Sequence, residues 1–71
     1  MPIQPHQSSR ALRLHKVCDL VGYAPASIWR KVKNHEFPAP FQLGPNAVAW
    51  DEIEVLDWLE AKKASRQGFV A

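Results

Sequence analysis

VCDLVGYAPASIWRKV, the run from Val17 to Val32, has the residue types of two short helices joined by a tight turn. A small residue, Cys18, stands four positions before Gly22, and the branched Ile28 follows Gly22 by six. Two helices that cross closely need a small side chain at the contact, a residue free to adopt positive φ at the turn, and an apolar anchor beyond it. The spacing therefore predicts a helix-turn-helix, whose second helix has the dimensions to enter the DNA major groove.

The flanking residues set the limits of the two helices. The first is predicted to begin at His15 or Lys16 and to end before Gly22, in the position that favours glycine after a helix. Pro25 suits the first position of the second helix, because its missing N–H would have no partner there. The second helix is predicted over residues 25–34.

The second helix separates apolar from polar side chains when its residues are placed at 100° intervals. Pro25, Ile28, Trp29 and Val32 fall in one narrow arc. The opposite arc holds Ala26, Ser27, Arg30, Lys31, Lys33 and Asn34. We expect the first arc to pack on the domain, and the second, which carries no acidic residue, to form a basic face.

The second half of the chain predicts a hairpin followed by a helix. Alternating residues at 41–50 surround turn residues at 44–47, the predicted tip. Asp51 is the expected N-cap of a helix over residues 52–64, and Glu54 completes a capping box. Apolar residues cover more than half of this helix, so we expect it to pack against both the hairpin and the first helix. They are Ile53, Val55, Leu56, Trp58 and Leu59.

The element order is that of a small, mostly helical α+β domain, a winged helix-turn-helix with three helices and one two-stranded β-hairpin as its wing. The 71 residues leave room for one such domain, expected over residues 12–65 between flexible tails at 1–11 and 66–71. Leu12 and Leu14 alternate with Arg13, which predicts a short lead-in strand or extended segment before the first helix.

Charge, cysteine usage and hydropathy limit the partners and the compartment. The net charge of +2 divides into +4 over residues 1–50 (six Lys/Arg, two Asp/Glu) and −2 over residues 51–71 (three Lys/Arg, five Asp/Glu). A basic segment at 1–50 and an acidic segment at 51–71 suit a protein that binds phosphate with one of its surfaces only. Cys18 is the single cysteine, which argues against a disulfide-stapled secreted protein. With no membrane-length apolar run and no signal peptide, we expect a cytoplasmic, nucleoid-associated protein.

Arg30, at the centre of the polar arc, is the best candidate for base recognition, because its guanidinium can bind guanine O6 and N7 in a bidentate manner. Lys31 and Lys33 are candidates for phosphate contacts, which orient a protein without selecting sequence. Ser27 is equally well explained as a DNA contact or as a polar residue in a first helical turn. Asn34 is more simply a helix end than a base contact.

Three further candidates lie outside the second helix. Arg13 and Lys16, near the start of the first helix, are candidates for contacts with the DNA backbone, and surface solubility explains them equally well. Asn46, at the hairpin tip, is a candidate for minor-groove contact, although turn chemistry alone accounts for it.

The remaining reactive or aromatic residues indicate structure rather than catalysis. Core packing is the expected role of Trp29, Trp50 and Trp58, and a buried thiol that of Cys18. The three histidines lie far apart in the sequence and lack metal-ligand spacing. No nucleophile–base set, carboxylate pair or phosphate-binding glycine loop is visible. We therefore expect no enzyme activity, no cofactor and no metal.

The same segments also resemble a known family. The similarity is carried, in order, by Arg13 to Gly22, Ser27-Ile28-Trp29-Arg30, Glu36-Phe37-Pro38, Leu43-Gly44-Pro45, Ala49-Trp50 and Val55 to Leu59. In this order and spacing they resemble the AlpA family of phage-type regulators, over about residues 12–62. Proteins of this family are similar in fold to phage excisionases and to the DNA-binding domains of MerR-type regulators.

The resemblance implies sequence-specific binding of double-stranded DNA, with the helix at 25–34 in the major groove and the hairpin at 41–50 on the backbone or in the minor groove. It further implies regulation of prophage-linked transcription, or assistance to an integrase during excision. The chain departs from the family pattern at Ala24-Pro25, where Ser-Arg is usual. It departs again at Asn46, where an arginine is frequent, and at Asp51, where a basic residue is frequent. These departures concern the DNA sequence recognised rather than the fold.

Two other functions are compatible with the sequence. A protein-interaction module would dock on an integrase or another regulator through the acidic helix, where Glu52, Asp57 and Glu60 form a solvated stripe. Binding of single strands through the tryptophans is the third hypothesis, which a preference for duplex DNA would exclude. A DNA-binding module this small, without coiled-coil heptads, is expected to bind cooperatively to direct repeats.

Overall fold

The chain folds into three helices and a small antiparallel sheet, which a computed structural model describes for residues 10–66. The elements are β1 (Ala11–Leu12), α1 (Leu14–Val21), α2 (Pro25–Lys33), β2 (Phe41–Gly44), β3 (Ala47–Asp51) and α3 (Glu52–Ala64). This order confirms the small, mostly helical winged helix-turn-helix. Most of the two predicted tails lies outside the described residues, and Ala11, assigned to the first tail, belongs to β1.

The sheet has three strands: the predicted two-stranded hairpin, and β1 as a third strand that the predicted architecture did not include. Strand β3 lies at the centre, with Phe41 of β2 opposite Ala49 on one side and Leu12 of β1 opposite Trp50 on the other. β1 is the short lead-in strand that the alternation around Leu12 predicted. Its pairing with β3 was missed because the partners are distant in sequence and β1 is too short to carry a pattern of its own.

The turn between α1 and α2 has the conformation that the glycine predicted. Helix α1 begins at Leu14, slightly earlier than expected, and ends at Val21. Gly22 follows it with a φ of 82°, and its N–H donates to the Cys18 carbonyl at 2.7 Å. A methyl group at Gly22 would meet no atom within 4 Å. Glycine is therefore required here for its left-handed φ, not for a close approach of the helices. Cys18 is half-buried at the crossing, not fully buried as expected.

Helix α2 follows its predicted limits to within a residue. Pro25 is its first residue, and the carbonyl of Ala24 accepts from the N–H groups of Ser27 and Ile28, without a side-chain cap. Asn34 ends the helix, and its N–H donates to the Arg30 carbonyl at 3.0 Å. The simpler account of Asn34, as a helix end, is thus consistent with its place in the fold.

Helix α3 has the predicted limits and packs on the hairpin strand β3 as predicted, but part of its apolar face is exposed. Its N-cap is Asp51, whose carboxylate accepts from the N–H of Glu54 at 3.1 Å. Ile53 and Leu56 are 40% and 39% exposed, although the apolar pattern predicted that both would be covered. The helix contacts β3, buries Val55 and packs Trp58 against the core, while a short domain supplies no further layer to cover Ile53 and Leu56.

The core lies where the sheet and the three helices meet. Its largest fully buried side chains are Trp50, Ile28, Val17 and Val55. Leu12 and Phe37 complete the cluster. The indole N–H of Trp50 donates to the Pro38 carbonyl at 2.8 Å, which pairs a polar atom that burial would otherwise leave without a partner. Packing of Ile28 in this cluster fixes the orientation of α2 and leaves its opposite face uncovered.

Candidate nucleic-acid interface

The uncovered face of α2 is basic. Ile28 is fully buried, and Arg30 lies on nearly the opposite side, about 200° further around the helix. Arg30 and Lys33 are exposed, and α2 contains no acidic residue. The fold therefore presents two cations on a helix face that no other described element covers.

Ser27 and Arg30 are neighbours on this face. The guanidinium Nη2 of Arg30 lies 3.4 Å from the Oγ of Ser27, a long hydrogen bond across one helical turn. Ser27 itself is half-buried, so its hydroxyl orients the guanidinium rather than projecting beyond it. The exposed fork of Arg30 retains most of its N–H donors for a bound group.

Lys31 differs from the other cations of α2 because it has partners within the fold. Its Nζ lies 4.9 Å above the ring of Tyr23 and 3.9 Å from Oε1 of Glu36. The side chain is only 25% exposed. Lys31 is therefore a weaker candidate for a phosphate contact than the sequence pattern suggested.

Trp29 is the clearest error of the sequence pattern. It was assigned to the core, yet it is 42% exposed. One side of its ring contacts Trp50, with centroids 5.4 Å apart, and the other side is open. Ile28 and Trp29 lie at opposite edges of the apolar arc, 100° apart, so helical periodicity alone did not show which of the two would be buried.

The exposed side of Trp29 forms one wall of a concavity between α2 and the hairpin. We call this concavity the wing groove; its volume is about 500 Å³. It is lined by Arg13, Leu14, His15, Trp29, Asn46 and Val48. The fold thus brings Arg13 and Asn46, two candidates distant in sequence, to one place and adds His15 and Trp29, which sequence reasoning did not select. Asn46 has a φ of 70°, as its place in the hairpin turn requires.

Lys16 lies elsewhere. It lines a second concavity of about 240 Å³, together with Arg10, Leu12, Asp19, Leu20 and Glu52. Arg13 and Lys16 therefore do not share a surface, although both lie near the start of α1. Two acidic residues adjoin Lys16 in this second concavity, which makes it less suited than the wing groove to an anion.

The acidic residues of α3 are partly neutralised within the chain. Two side-chain hydrogen bonds, at 3.2 and 3.0 Å, run from the guanidinium of Arg10 to the carboxylate of Glu52. These bonds, and the charge of Arg10, hold the pKa of Glu52 below its ordinary value and raise that of Arg10. Glu60 lies 3.3 Å from Nζ of Lys63. Glu52 and Glu60 therefore do not form the uniformly solvated stripe that the docking hypothesis used.

No group of three or more His, Cys, Asp or Glu side chains between residues 10 and 66 is placed to hold a metal ion. None of the helices in that range is long and apolar enough to cross a membrane.

Fold and surface together define a winged helix-turn-helix protein with a basic second helix and a groove beside its wing. Comparison with known proteins is more specific: the family described as "Prophage CP4-57 regulatory protein (AlpA)" matches residues 10–63. The chain belongs to this AlpA family of prophage regulatory proteins, which confirms the resemblance inferred from the sequence. A relative, "Uncharacterized protein ORF88" of Enterobacteria phage P4, is 33% identical over 67 residues, 94% of this chain and 76% of the relative. No solved structure matches.

Proposed function

We propose that this protein is a sequence-specific, double-stranded DNA-binding regulator of the phage type, without catalytic activity. It acts in the cytoplasm on prophage-linked DNA, as a regulator of transcription or as an accessory factor in excision by an integrase. Helix α2 enters the major groove, and the hairpin β2–β3 follows the adjacent backbone or minor groove. Membership of the AlpA family supports the regulatory role.

The observation that carries the proposal is the placement of Arg30. The guanidinium is exposed on the face of α2 opposite the buried Ile28, within one turn of Ser27, with no acidic residue on the helix. An arginine in this position can bind guanine O6 and N7 together, which is worth about 1–3 kcal/mol of discrimination against another base. Lys33, exposed near the end of the same helix, adds a phosphate contact without sequence preference.

The test is selection of bound sequences from a random pool of duplex DNA at low salt, followed by binding of Arg30→Ala to the selected site. We expect one enriched motif, arranged as direct repeats. Arg30→Ala should lose about 1–3 kcal/mol on this motif and relax the preference at one position. Lys63→Ala, which also removes one cation but on α3, is the matched control and should retain the motif.

Two outcomes would contradict the proposal. A pool without enrichment, with binding that only weakens as salt rises, would mean that the protein attracts phosphate and selects no sequence. An unchanged motif and affinity for Arg30→Ala would mean that α2 does not recognise bases through this residue.

A further inference from the structure

The three tryptophans differ in what their indole N–H groups do. Trp50 donates to the carbonyl of Pro38 at 2.8 Å, and Trp58 donates to the carbonyl of Glu36 at 2.9 Å. The indole N–H of Trp29 has no acceptor among residues 10–66. A tryptophan N–H usually has a partner when it is buried. Trp29 is 42% exposed, so its unpartnered donor is accessible to a bound group.

The surroundings of Trp29 indicate the chemistry of that group. The wing groove contains the guanidinium of Arg13, the imidazole of His15 and the amide of Asn46, and none of its lining residues is acidic. Arg13 is exposed and has no ion pair with any described residue. A concave surface with one permanent cation, several N–H donors and no carboxylate is suited to an oxyanion.

The position of the groove indicates which oxyanion. The groove separates α2, the proposed major-groove element, from the tip of the hairpin, the proposed wing. The phosphate backbone divides the major groove of a duplex from the adjacent minor groove. A backbone strand must therefore pass between these two elements when both are engaged.

We propose that the wing groove binds a phosphate of the DNA backbone, with Arg13 supplying the charge and the indole N–H of Trp29 donating a hydrogen bond to the same group. His15 and Asn46 complete the walls. The proposal rests on the DNA-binding function proposed above, and it adds Trp29 and His15 to the interface. Contacts of this kind fix the orientation of α2 on the duplex and select no sequence.

A purely structural role for Trp29 makes a different prediction. Its ring packs against Trp50 at 5.4 Å, and phenylalanine would preserve a large part of that contact. Trp29→Phe removes the N–H donor and retains an aromatic ring. A loss of DNA affinity in this variant at unchanged stability therefore reports the hydrogen bond rather than the packing.

The experiment measures binding of the full chain to a fluorescently labelled duplex of mixed sequence by anisotropy, at several salt concentrations. We expect Trp29→Phe to weaken binding about tenfold, as the loss of a hydrogen bond to a charged group does, without changing the slope of log K against log salt. Arg13→Gln should weaken binding and reduce that slope by about one, because one phosphate contact is lost. Lys63→Gln, a matched charge change outside the groove, should leave the slope unchanged.

Thermal unfolding of each variant separates binding from folding. If Trp29→Phe lowers the Tm, then Trp29→Tyr, which retains a hydroxyl donor, is compared with it at one temperature below both transitions. Tighter binding by the tyrosine variant supports the donor role, and equal binding by the two overturns it.

The outcomes also separate this proposal from the function on which it rests. No binding of the duplex by the unmodified chain would contradict the DNA-binding function itself. Duplex binding that Arg30→Ala weakens, while Trp29→Phe and Arg13→Gln match the unmodified chain in affinity and slope, would overturn the wing groove alone.

Discussion

Two sides of helix α2, one facing the wing groove and one facing the loop after α2, are similar in composition. They differ in whether their polar side chains have partners within the fold. On the wing side, the side chains of Trp29 and Arg13 have no hydrogen bond or ion pair with any residue that the structure describes. On the other side, which faces the loop after α2, Lys31 lies over Tyr23 and near Glu36. Each side has an aromatic ring and a cation, but only on the loop side does the cation contact the ring and an acidic residue of the fold.

The difference separates polar side chains that have partners within the described fold from polar side chains that have none. The carbonyl of Glu36 accepts from the indole of Trp58, whose ring lies 4.7 Å from that of Phe37 and 6.4 Å from that of Tyr23. Such contacts hold the loop after α2 against α3. Among the described residues, no equivalent hydrogen bond or ion pair links the side chains that line the wing groove, although a concavity of about 510 Å³ also adjoins Trp58 on the loop side. In the proposals made above, the loop side stabilises the fold and the wing side contacts DNA.

Replacement of Trp50 would remove the support that both sides share, and we expect the largest effect there. Trp50 is fully buried, lies beneath Trp29 and bonds the Pro38 carbonyl in the segment before β2. Trp50→Ala should lower the free energy of unfolding by about 3–5 kcal/mol, through the cavity and the unpaired carbonyl. Urea denaturation followed by circular dichroism would measure it. A loss below about 1 kcal/mol would mean that the two sides do not depend on this residue.

Replacement of Trp58 tests the loop side by itself. Trp58→Phe retains an aromatic ring beside Phe37 and Tyr23 and removes the N–H that binds the Glu36 carbonyl. We expect the free energy of unfolding to fall by about 1 kcal/mol and duplex affinity at low temperature to stay the same. Trp29→Phe should do the reverse. Similar losses of DNA affinity in both variants would remove the distinction between the two sides.

The smallest effect is expected at the Arg10–Glu52 pair, a partnered site away from both sides. Because the folded pKa of Glu52 lies below its ordinary value, the pair stabilises the fold above the ordinary glutamate pKa of about 4.3. This contribution is lost as the pH falls through the lower, folded value. The Tm difference between the unmodified chain and Glu52→Gln should therefore be small at neutral pH and disappear once the pH lies below the folded pKa of Glu52. A difference of constant size across this range would contradict the assignment.

Local signals predicted most of the fold. Gly22, Pro25 and Asp51 each mark a helix limit through backbone chemistry that depends only on neighbouring residues, and all three limits are confirmed. The third strand was not predictable in this way, because β1 exists only by pairing with β3 across the length of the chain. The exposure of Ile53 and Leu56 was missed for a related reason: an apolar pattern gives the preference of a helix to pack, not the presence of a partner.

The candidate interface was likewise predictable from the sequence only in part. The placement of Arg30 opposite Ile28 follows from helical periodicity, so the sequence by itself determined that α2 has a basic outer face. The family resemblance was also visible in the sequence, because it depends on short motifs in a fixed order. Only the tertiary structure decided that Lys31 has partners within the fold, that Trp29 keeps an open donor, and that Arg13 meets Asn46 across a groove. These facts depend on distances between elements, which are set by how Trp50 and Ile28 pack and not by any pattern within one element.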